Sequence, residues 1–207
     1  MRPFPHLDQP EFAIFEKLTT PEKIQDFIDI LPVNFEPNSD TSRSPLMTLR
    51  EGRAHCMEGA LIAASALWYH GEPPLLLDLK TTKGDDDHVV TLFKRHGRWG
   101  AISKTNHAVL RYRDAIYRSV RELVMSYFHE YFLDSGRKTL RSFSRPFNLL
   151  RYGSDWLTSK GDLWYINNDL DDSPHTRIIK PKMEKLLRKA DKIEIKAGKL
   201  VEWKKPK

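Results

Sequence analysis

A nearly continuous apolar run, residues 60–68, stands out in the pattern of hydrophobic and polar positions along the chain. The run has no polar face, which is typical of a helix buried on all sides, and it is too short to span a bilayer. Gly71, Pro73 and Pro74 follow it and supply a stop signal. The pattern therefore predicts a central buried helix with Cys56 in its first turn.

An amphipathic helix is predicted upstream, with Thr20 as its N-cap and Pro21 as its first residue. Its apolar positions recur at helical spacing: Ile24, Phe27, Ile28 and Leu31. Residues 33–47 instead contain Pro, Asn, Ser and Asp, which predict a long loop. Such a loop forms either one wall of a cleft or a plain surface connection.

Strand patterns follow the central helix. Residues 75–79 predict a short buried strand, and residues 81–87 predict a polar turn. Residues 88–93 and 99–103 predict the two strands of a hairpin that turns at residues 95–98. The combination of helices and hairpin strands favours an α+β fold.

Further elements are predicted after this hairpin. A capping box at residues 119–122 opens a helix, residues 162–171 predict a short acidic helix, and Pro181 begins another. Residues 193–203 predict a final hairpin, whereas residues 137–153 are basic and aromatic without a clear period.

Composition narrows the class of protein. At 207 residues the chain predicts a single domain, 1–207, with a core at 48–107 and a basic helix-hairpin appendage at 175–207. Hydrophobic content of 40% and charged content of 30% are typical of a soluble globular protein. One cysteine excludes an internal disulfide, and we find no signal-peptide pattern or transmembrane stretch. We expect a cytoplasmic protein of bacterial type with no membrane partner.

The net charge of +6 is concentrated at the end of the chain, since residues 175–207 contain 12 Lys and Arg against 4 Asp and Glu. A basic segment attracts polyanions in some proteins. No aromatic-interleaved basic motif accompanies this one, so we interpret it as a solvated surface and do not expect nucleic acid as a partner.

Cys56 and His88 are the candidate catalytic residues. The unpaired N–H groups and positive dipole end of a helix favour a thiolate in its first turn. A histidine that opens a later strand supplies an imidazole in the order expected of a thiol–imidazole pair. A buried, inert cysteine is the other interpretation of the same residue.

The segment Cys56-Met-Glu-Gly-Ala60, with its Ala- and Leu-rich helix, resembles the cysteine motif of the transglutaminase-like superfamily, which includes bacterial cysteine peptidases, peptide N-glycanases and transglutaminases. That motif is Cys-x-Glu/Asp-x-Ala, followed by a helix, a strand and a histidine that opens the next strand. His88 and the run to Gly97-Arg98-Trp99 match the histidine part. The resemblance covers residues 50–107, and the whole chain looks like a bacterial subgroup with this core.

This resemblance implies an α+β fold with a transglutaminase/papain-like core. A buried helix that carries Cys56 would pack on an antiparallel sheet that carries His88, with added helices at both ends. It also implies Cys56 as the nucleophile and His88 as the general base. Glu58, two residues beyond the thiol, is expected to be buried with a salt-bridge partner.

The third catalytic position departs from the superfamily, which usually has an aspartate near Ser103. Asn106 is the preferred candidate because asparagine orients the imidazole in papain-like enzymes, and Ser103 is the alternative. The loop of the hairpin decides between them: a two- or four-residue loop puts Ser103 on the face of His88, and a three-residue loop puts Asn106 there. The single glycine, Gly97, mildly favours the three-residue loop.

Other chemistries have weaker signals. His55, Cys56, His88 and the acidic residues 85–87 form a pool of possible metal ligands, but the paired spacing of a zinc site is missing. Serine-hydrolase signatures, phosphate-binding glycine loops and dinucleotide fingerprints are also missing from the sequence. We therefore expect neither a metal nor a cofactor.

Two classes of function remain. The chain is either a cysteine hydrolase or acyl transferase that acts on a peptide, isopeptide or amide bond through a Cys56 thioester, or a catalytically inactive transglutaminase-like binding module. A peptide or protein is the expected substrate. The sequence does not identify that substrate, the choice between hydrolysis and transfer, the side-chain donor to an oxyanion, or the oligomeric state.

Overall fold

The computed structural model describes residues 3–37 and 39–205 of the chain. Its α-helices are α1 Pro21–Ile30, α2 Pro45–Glu51, α3 Cys56–Tyr69, α4 Val120–Tyr127, α5 Trp164–Asp171, α6 Pro181–Glu184 and α7 Lys192–Gly198. Its strands are β1 Leu75–Lys80, β2 His88–Arg95, β3 Arg98–Ile102, β4 Arg113–Tyr117, β5 Ser142–Ser144, β6 Phe147–Asn148 and β7 His175–Arg177. Short 3-10 helices occupy Pro10–Glu16, Leu149–Tyr152 and Asp155–Leu157.

The strands form one antiparallel sheet in the order β4-β3-β2-β1-β5-β7, with β6 also paired to β1. The predicted α+β class is therefore confirmed. The hairpin of β2 and β3 and the strand β1 lie where alternating or continuous apolar patterns predicted them. β5 and β6 come from residues 137–153, whose pattern predicted no element because these strands are only two or three residues long.

Helix α3 is the centre of the larger core. All of its residues from Met57 to Trp68 are buried, as the run without a polar face predicted. The α3 segment packs with the sheet residues Leu76, Phe93 and Ile102 in one apolar cluster. A second cluster joins α4 to other side chains of the same strands, including Leu77, Leu79, Val90, Leu92 and Ala101. Period-two alternation along the strands explains this division between two layers.

The predicted first helix is confirmed in detail. Thr20 caps α1 by accepting a hydrogen bond from the Lys23 N–H at 3.3 Å, and Pro21 is its first residue. Residues 33–47, predicted to be one loop, end inside α2, which begins at Pro45 with Ser44 as its N-cap.

The predicted hairpin at residues 193–203 is wrong, because α7 occupies Lys192–Gly198. A capping box between Asp191 and Glu194 begins this helix, and these two residues were its signal in the sequence. No helix in the described part of the chain has the length and apolar character needed to cross a membrane.

Candidate active site

Cys56 is the first residue of α3, and His55 is the N-cap. The Met57 N–H donates to His55 Nδ1 at 3.2 Å, and the His55 N–H donates to the Glu58 carboxylate at 3.1 Å. This reciprocal cap leaves the Cys56 N–H without an acceptor among the described residues, as is usual in the first turn of a helix. The N–H is therefore available to a negatively charged oxygen beside the thiol.

The Cys56 thiol is half-buried. Burial by itself raises its pKa, but hydrogen bonds from the side chains of His55 and His88, together with their positive charge, outweigh burial and lower the pKa of Cys56 to about 5. At neutral pH the sulfur is therefore a thiolate, the form that acts as a nucleophile.

His55 is a second imidazole beside the thiol, and the sequence interpretation gave it no role in catalysis. Its Nε2 donates to the Thr41 carbonyl at 2.8 Å and lies 3.6 Å from Glu58 and 3.7 Å from Glu36. Burial disfavours the charged ring, but hydrogen bonding and attraction from the Cys56 sulfur, with the two carboxylates, raise the pKa of His55 to about 9. Its position directly before the cysteine, at the helix N-cap, was the signal available in the sequence.

Glu58 is completely buried and paired with Arg43 at 3.5 Å, which confirms the expected salt bridge. Asn34 and Thr41 also donate hydrogen bonds to its carboxylate, at 3.2 and 2.9 Å. These contacts fix the segment before α3 against the helix. Glu58 thus organises the N-terminus of α3 rather than reaching the reacting atoms.

His88 opens β2 and is bound to Ser103 just beyond the end of β3. Its Nε2 lies 2.8 Å from the Ser103 Oγ, and that hydroxyl donates its own hydrogen to the Leu110 carbonyl at 2.5 Å. The Ser103 oxygen therefore accepts from His88, which places the hydrogen of a neutral ring on Nε2. The Nδ1 lone pair is left for the proton of Cys56.

Gln25 of α1 holds the backbone of Ser103 in place. The Ser103 N–H donates to Gln25 Oε1 at 2.9 Å, and Gln25 Nε2 donates to the Ser103 carbonyl at the same distance. Gln25 is itself buried. This buried amide was not singled out in the sequence, because its spacing to Ser103 has no local pattern.

The register of the hairpin brings Ser103 to His88. Lys94 pairs with Trp99 and Arg95 pairs with Arg98, so His96 and Gly97 form a two-residue loop. Both adopt positive φ, 48° and 74°, as a primed two-residue turn requires. The mild preference for a three-residue loop is therefore wrong, because His96 takes a left-handed conformation that the sequence assigned to Gly97 alone.

Asn106 is not brought to His88. Its amide Nδ2 donates to the Trp203 carbonyl at 3.0 Å, and its Oδ1 accepts from the Trp203 N–H at 2.8 Å. The side chain thus uses both of its polar atoms on the C-terminal segment. Asn106 and His88 line the same cleft without contact between their side chains.

Cys56 and His88 open into a cleft of about 340 Å³. Residues of the C-terminal segment form one of its walls, including Ile195, Gly198 and Lys199. Of the loop expected as a possible wall, Val33 lines the cleft, whereas Thr41 and Glu36 support His55 from behind.

Polar contacts hold this C-terminal wall, which we define as residues 195–203. Lys199 pairs with Asp134 at 2.9 Å, and Glu202 pairs with Arg111 at 3.0 Å. The Ala108 N–H donates to the Leu200 carbonyl at 3.0 Å. Leu200 itself remains 61% exposed, so apolar burial contributes little to the attachment of this residue.

Gly59 allows α3 to approach the segment after β3. A Cβ atom on Gly59 would lie 2.4 Å from the Cβ of Lys104. The Lys104 side chain is buried, and its ammonium group donates to the Leu31 carbonyl. Lys104, the residue after Ser103, therefore packs closely against both α3 and the end of α1.

Acidic side chains in the described part of the chain come together at Asp78, Asp87 and Asp171. The Lys80 ammonium already neutralises this group, at 3.6 Å from Asp87 and 3.0 Å from Asp171, and His175 binds Asp78 at 3.0 Å. Of the pool of ligands considered from the sequence, Asp87 is the one member found in this group.

Comparisons with known proteins identify a distant likeness. No family model matches the chain, and no curated protein matches it. Among solved structures, the chain is similar to Legionella pneumophila LapG in its EGTA-treated form, with a TM-score of 0.40 and 14% sequence identity over 71% of this chain and 83% of that chain. A TM-score and a sequence identity this low assign neither a family nor an activity, and membership of the transglutaminase-like superfamily stays a prediction.

Proposed function

We propose that this protein is a cysteine hydrolase or acyl transferase that acts on a peptide, isopeptide or amide bond through a thioester on Cys56. The observation that carries the proposal is the thiol at the start of α3. Its pKa is lowered to about 5, despite burial, by hydrogen bonds from His55 and His88. A thiolate in a cleft, with a base that a third group orients, is the arrangement that covalent catalysis by cysteine requires.

The proposed reaction assigns one role to each group. The Cys56 sulfur attacks the substrate carbonyl carbon, so the S–C bond forms and the carbonyl oxygen becomes an oxyanion. When the C=O bond is restored, the C–N bond breaks and His88 gives a proton to the departing amine. A water molecule, or an acceptor amine, then attacks the thioester while His88 accepts its proton, which releases the acid or the new amide and restores the thiolate.

Ser103 is the positioning residue of this proposal, in place of Asn106. Its hydroxyl keeps the hydrogen of His88 on Nε2, which leaves Nδ1 for proton transfer. His55 is the second imidazole beside the thiolate. Its neutral ring accepts from the Met57 N–H at Nδ1 as the helix cap, whereas its charged ring carries a hydrogen on Nδ1 and stabilises the negative sulfur instead.

The neutral partner of His88 favours a second candidate, a catalytically inactive binding module. A carboxylate in the third position stabilises the imidazolium that forms during the reaction, and Ser103 provides no negative charge. In that case the cleft would bind a peptide without cleaving it, and Cys56 would not form an acyl-enzyme.

Alkylation of Cys56 by iodoacetamide at neutral pH separates these candidates. For the enzyme we expect labelling much faster than that of free cysteine, with a large loss of rate in the variant His88→Ala. His6→Ala is the matched control, since His6 is exposed and lies in the N-terminal segment. A wild-type thiol that reacts no faster than free cysteine would contradict the enzyme and favour the binding module.

A further inference from the structure

Tyr131 carries a buried hydroxyl for which the fold provides no partner. The residue is 3% exposed, and its hydroxyl makes no hydrogen bond to any other residue that the structure describes. A buried hydroxyl without a partner loses free energy on the order of 1–3 kcal/mol. Such a group in a native protein calls for an explanation, and a role in ligand binding is one of them.

The hydroxyl belongs to the same cleft as the thiol. Tyr131 lines the same cleft as Cys56 and His88, and it also belongs to the second apolar core cluster. Burial, and then the negative charge of the Cys56 thiolate, raise the pKa of Tyr131 well above its ordinary value. The phenol therefore keeps its hydrogen and remains a donor throughout the neutral and moderately alkaline range.

Two other side-chain donors of the cleft already have acceptors. The Lys104 ammonium donates to the Leu31 carbonyl, and the Asn106 amide donates to the Trp203 carbonyl at 3.0 Å. By contrast, the Tyr131 hydroxyl has no hydrogen-bond partner within the described residues, and the Cys56 N–H lies in the first turn of α3, where no acceptor in the helix is available to it.

We infer that the Tyr131 hydroxyl is a catalytic hydrogen-bond donor that, together with the Cys56 N–H, binds the oxyanion formed when the thiolate attacks a carbonyl group. This inference rests on the proposed function and names the side-chain donor that the reaction lacks. In the step concerned, the S–C bond forms, the π electrons of the carbonyl move to oxygen, and the two donors bind that oxygen without giving up their hydrogens. The bonds are released when the C=O bond is restored and the amine departs.

The variant Tyr131→Phe tests this role because it removes the hydroxyl and retains the buried ring. Two reagents are compared on each protein. Iodoacetamide alkylates the thiolate by direct displacement and forms no oxyanion, whereas p-nitrophenyl acetate acylates it through a tetrahedral oxyanion. We expect Tyr131→Phe to leave the alkylation rate within about twofold and to lower the acylation rate by about 10²-fold, the usual loss for one oxyanion donor.

Tyr127→Phe is the matched control. Tyr127 is also fully buried, but its hydroxyl donates to the Arg111 carbonyl at 3.0 Å, and its residue does not line the cleft. Both rates should stay near those of the wild type in this variant. A normal alkylation rate in Tyr131→Phe also shows that the variant is folded around Cys56.

Three distinguishable outcomes would overturn either the role inferred for Tyr131 or the proposed enzyme function. Equal acylation rates in Tyr131→Phe and wild type would refute the role of the hydroxyl while the enzyme proposal stands. A parallel fall of both rates would show that Tyr131 acts on the thiolate or on the fold rather than on the oxyanion. Slow alkylation of the wild-type thiol itself would refute the proposed enzyme, before any variant is considered.

Discussion

The Ser103 Oγ lies 2.8 Å from the Nε2 of His88 and donates its own hydrogen to the Leu110 carbonyl. The serine is therefore held as an acceptor toward the imidazole, although a serine hydroxyl by itself is both donor and acceptor. This relationship is the basis on which we propose Ser103, rather than Asn106, for the third position.

Ser103→Ala should reduce the rate of Cys56 alkylation at neutral pH. Loss of the hydrogen bond removes the group that orients His88, and a bond of about 0.5–1.5 kcal/mol corresponds to roughly a two- to tenfold change in rate. Asn106→Ala is the control and should leave the iodoacetamide rate unchanged, because its amide is bound to Trp203. The opposite result would restore Asn106 as the third member.

The pH profile of alkylation should follow the thiolate of Cys56. Because the pKa of Cys56 is lowered to about 5, the rate should rise with pH through that value and be level at neutral pH. Stopped-flow measurement of the iodoacetamide labelling rate between acidic and neutral pH gives this profile. A rate that continues to rise up to the ordinary pKa of a cysteine would contradict the stabilised thiolate.

His55→Asn should move this profile to higher pH. Asparagine is a good N-cap, so the variant retains the cap of α3 but loses the imidazole whose positive charge stabilises the thiolate. An opposite charge within a few ångströms typically shifts a pKa by about 1–3 units, and we expect the midpoint to rise by at least about one unit. An unchanged midpoint would assign His55 to the helix cap alone.

Gly59→Ala should destabilise the protein, although alanine is the better helix former by about 1 kcal/mol. The added Cβ would lie 2.4 Å from that of Lys104, and overpacking of this kind costs about 1–3 kcal/mol. Urea unfolding should show a net loss on the order of 1 kcal/mol. Gly161→Ala is the control, since a Cβ there meets no atom within 4 Å among the described residues, and a larger loss in the control would refute the packing argument.

Asn106→Ala should open the C-terminal wall. The variant loses both side-chain bonds to Trp203, at 3.0 and 2.8 Å. Three bonds to backbone carbonyls, at Gly198, Leu200 and Asn106, and two partly exposed ion pairs remain to hold the wall. We expect a maleimide on a long polyethylene glycol chain to label Cys56 several-fold faster, while iodoacetamide labels it as before. Equal acceleration of both reagents would mean that Asn106 affects the thiolate and not access to it.

The fold was predictable where one local pattern decides it. The run without a polar face specified α3, and Thr20 with Pro21 specified the start of α1. The hairpin loop was not decided by its sequence, because the left-handed conformation is available to His96 as well as to Gly97, and the choice sets the face of every later residue. Ser103 could therefore be named as a candidate but not preferred.

The rest of the site depends on long-range contacts. Gln25 binds Ser103 from 78 positions away, and Asn106 binds Trp203 from 97 positions away. No period or spacing in the sequence encodes such pairs. The helical spacing after residue 119 predicted that Tyr131 is buried, but its place in the same cleft as Cys56 emerges only from the packing of the chain beyond α4.

The C-terminal wall also has a consequence during synthesis on the ribosome. Residues 195–203 are translated about 140 positions after Cys56, which at roughly 5–20 residues per second takes on the order of ten seconds. In the later part of that interval, α3 and the strands β2 and β3 have been synthesised, but the cleft lacks its last side. A nascent chain would thus leave Cys56 accessible to large molecules before the finished protein narrows the access to it.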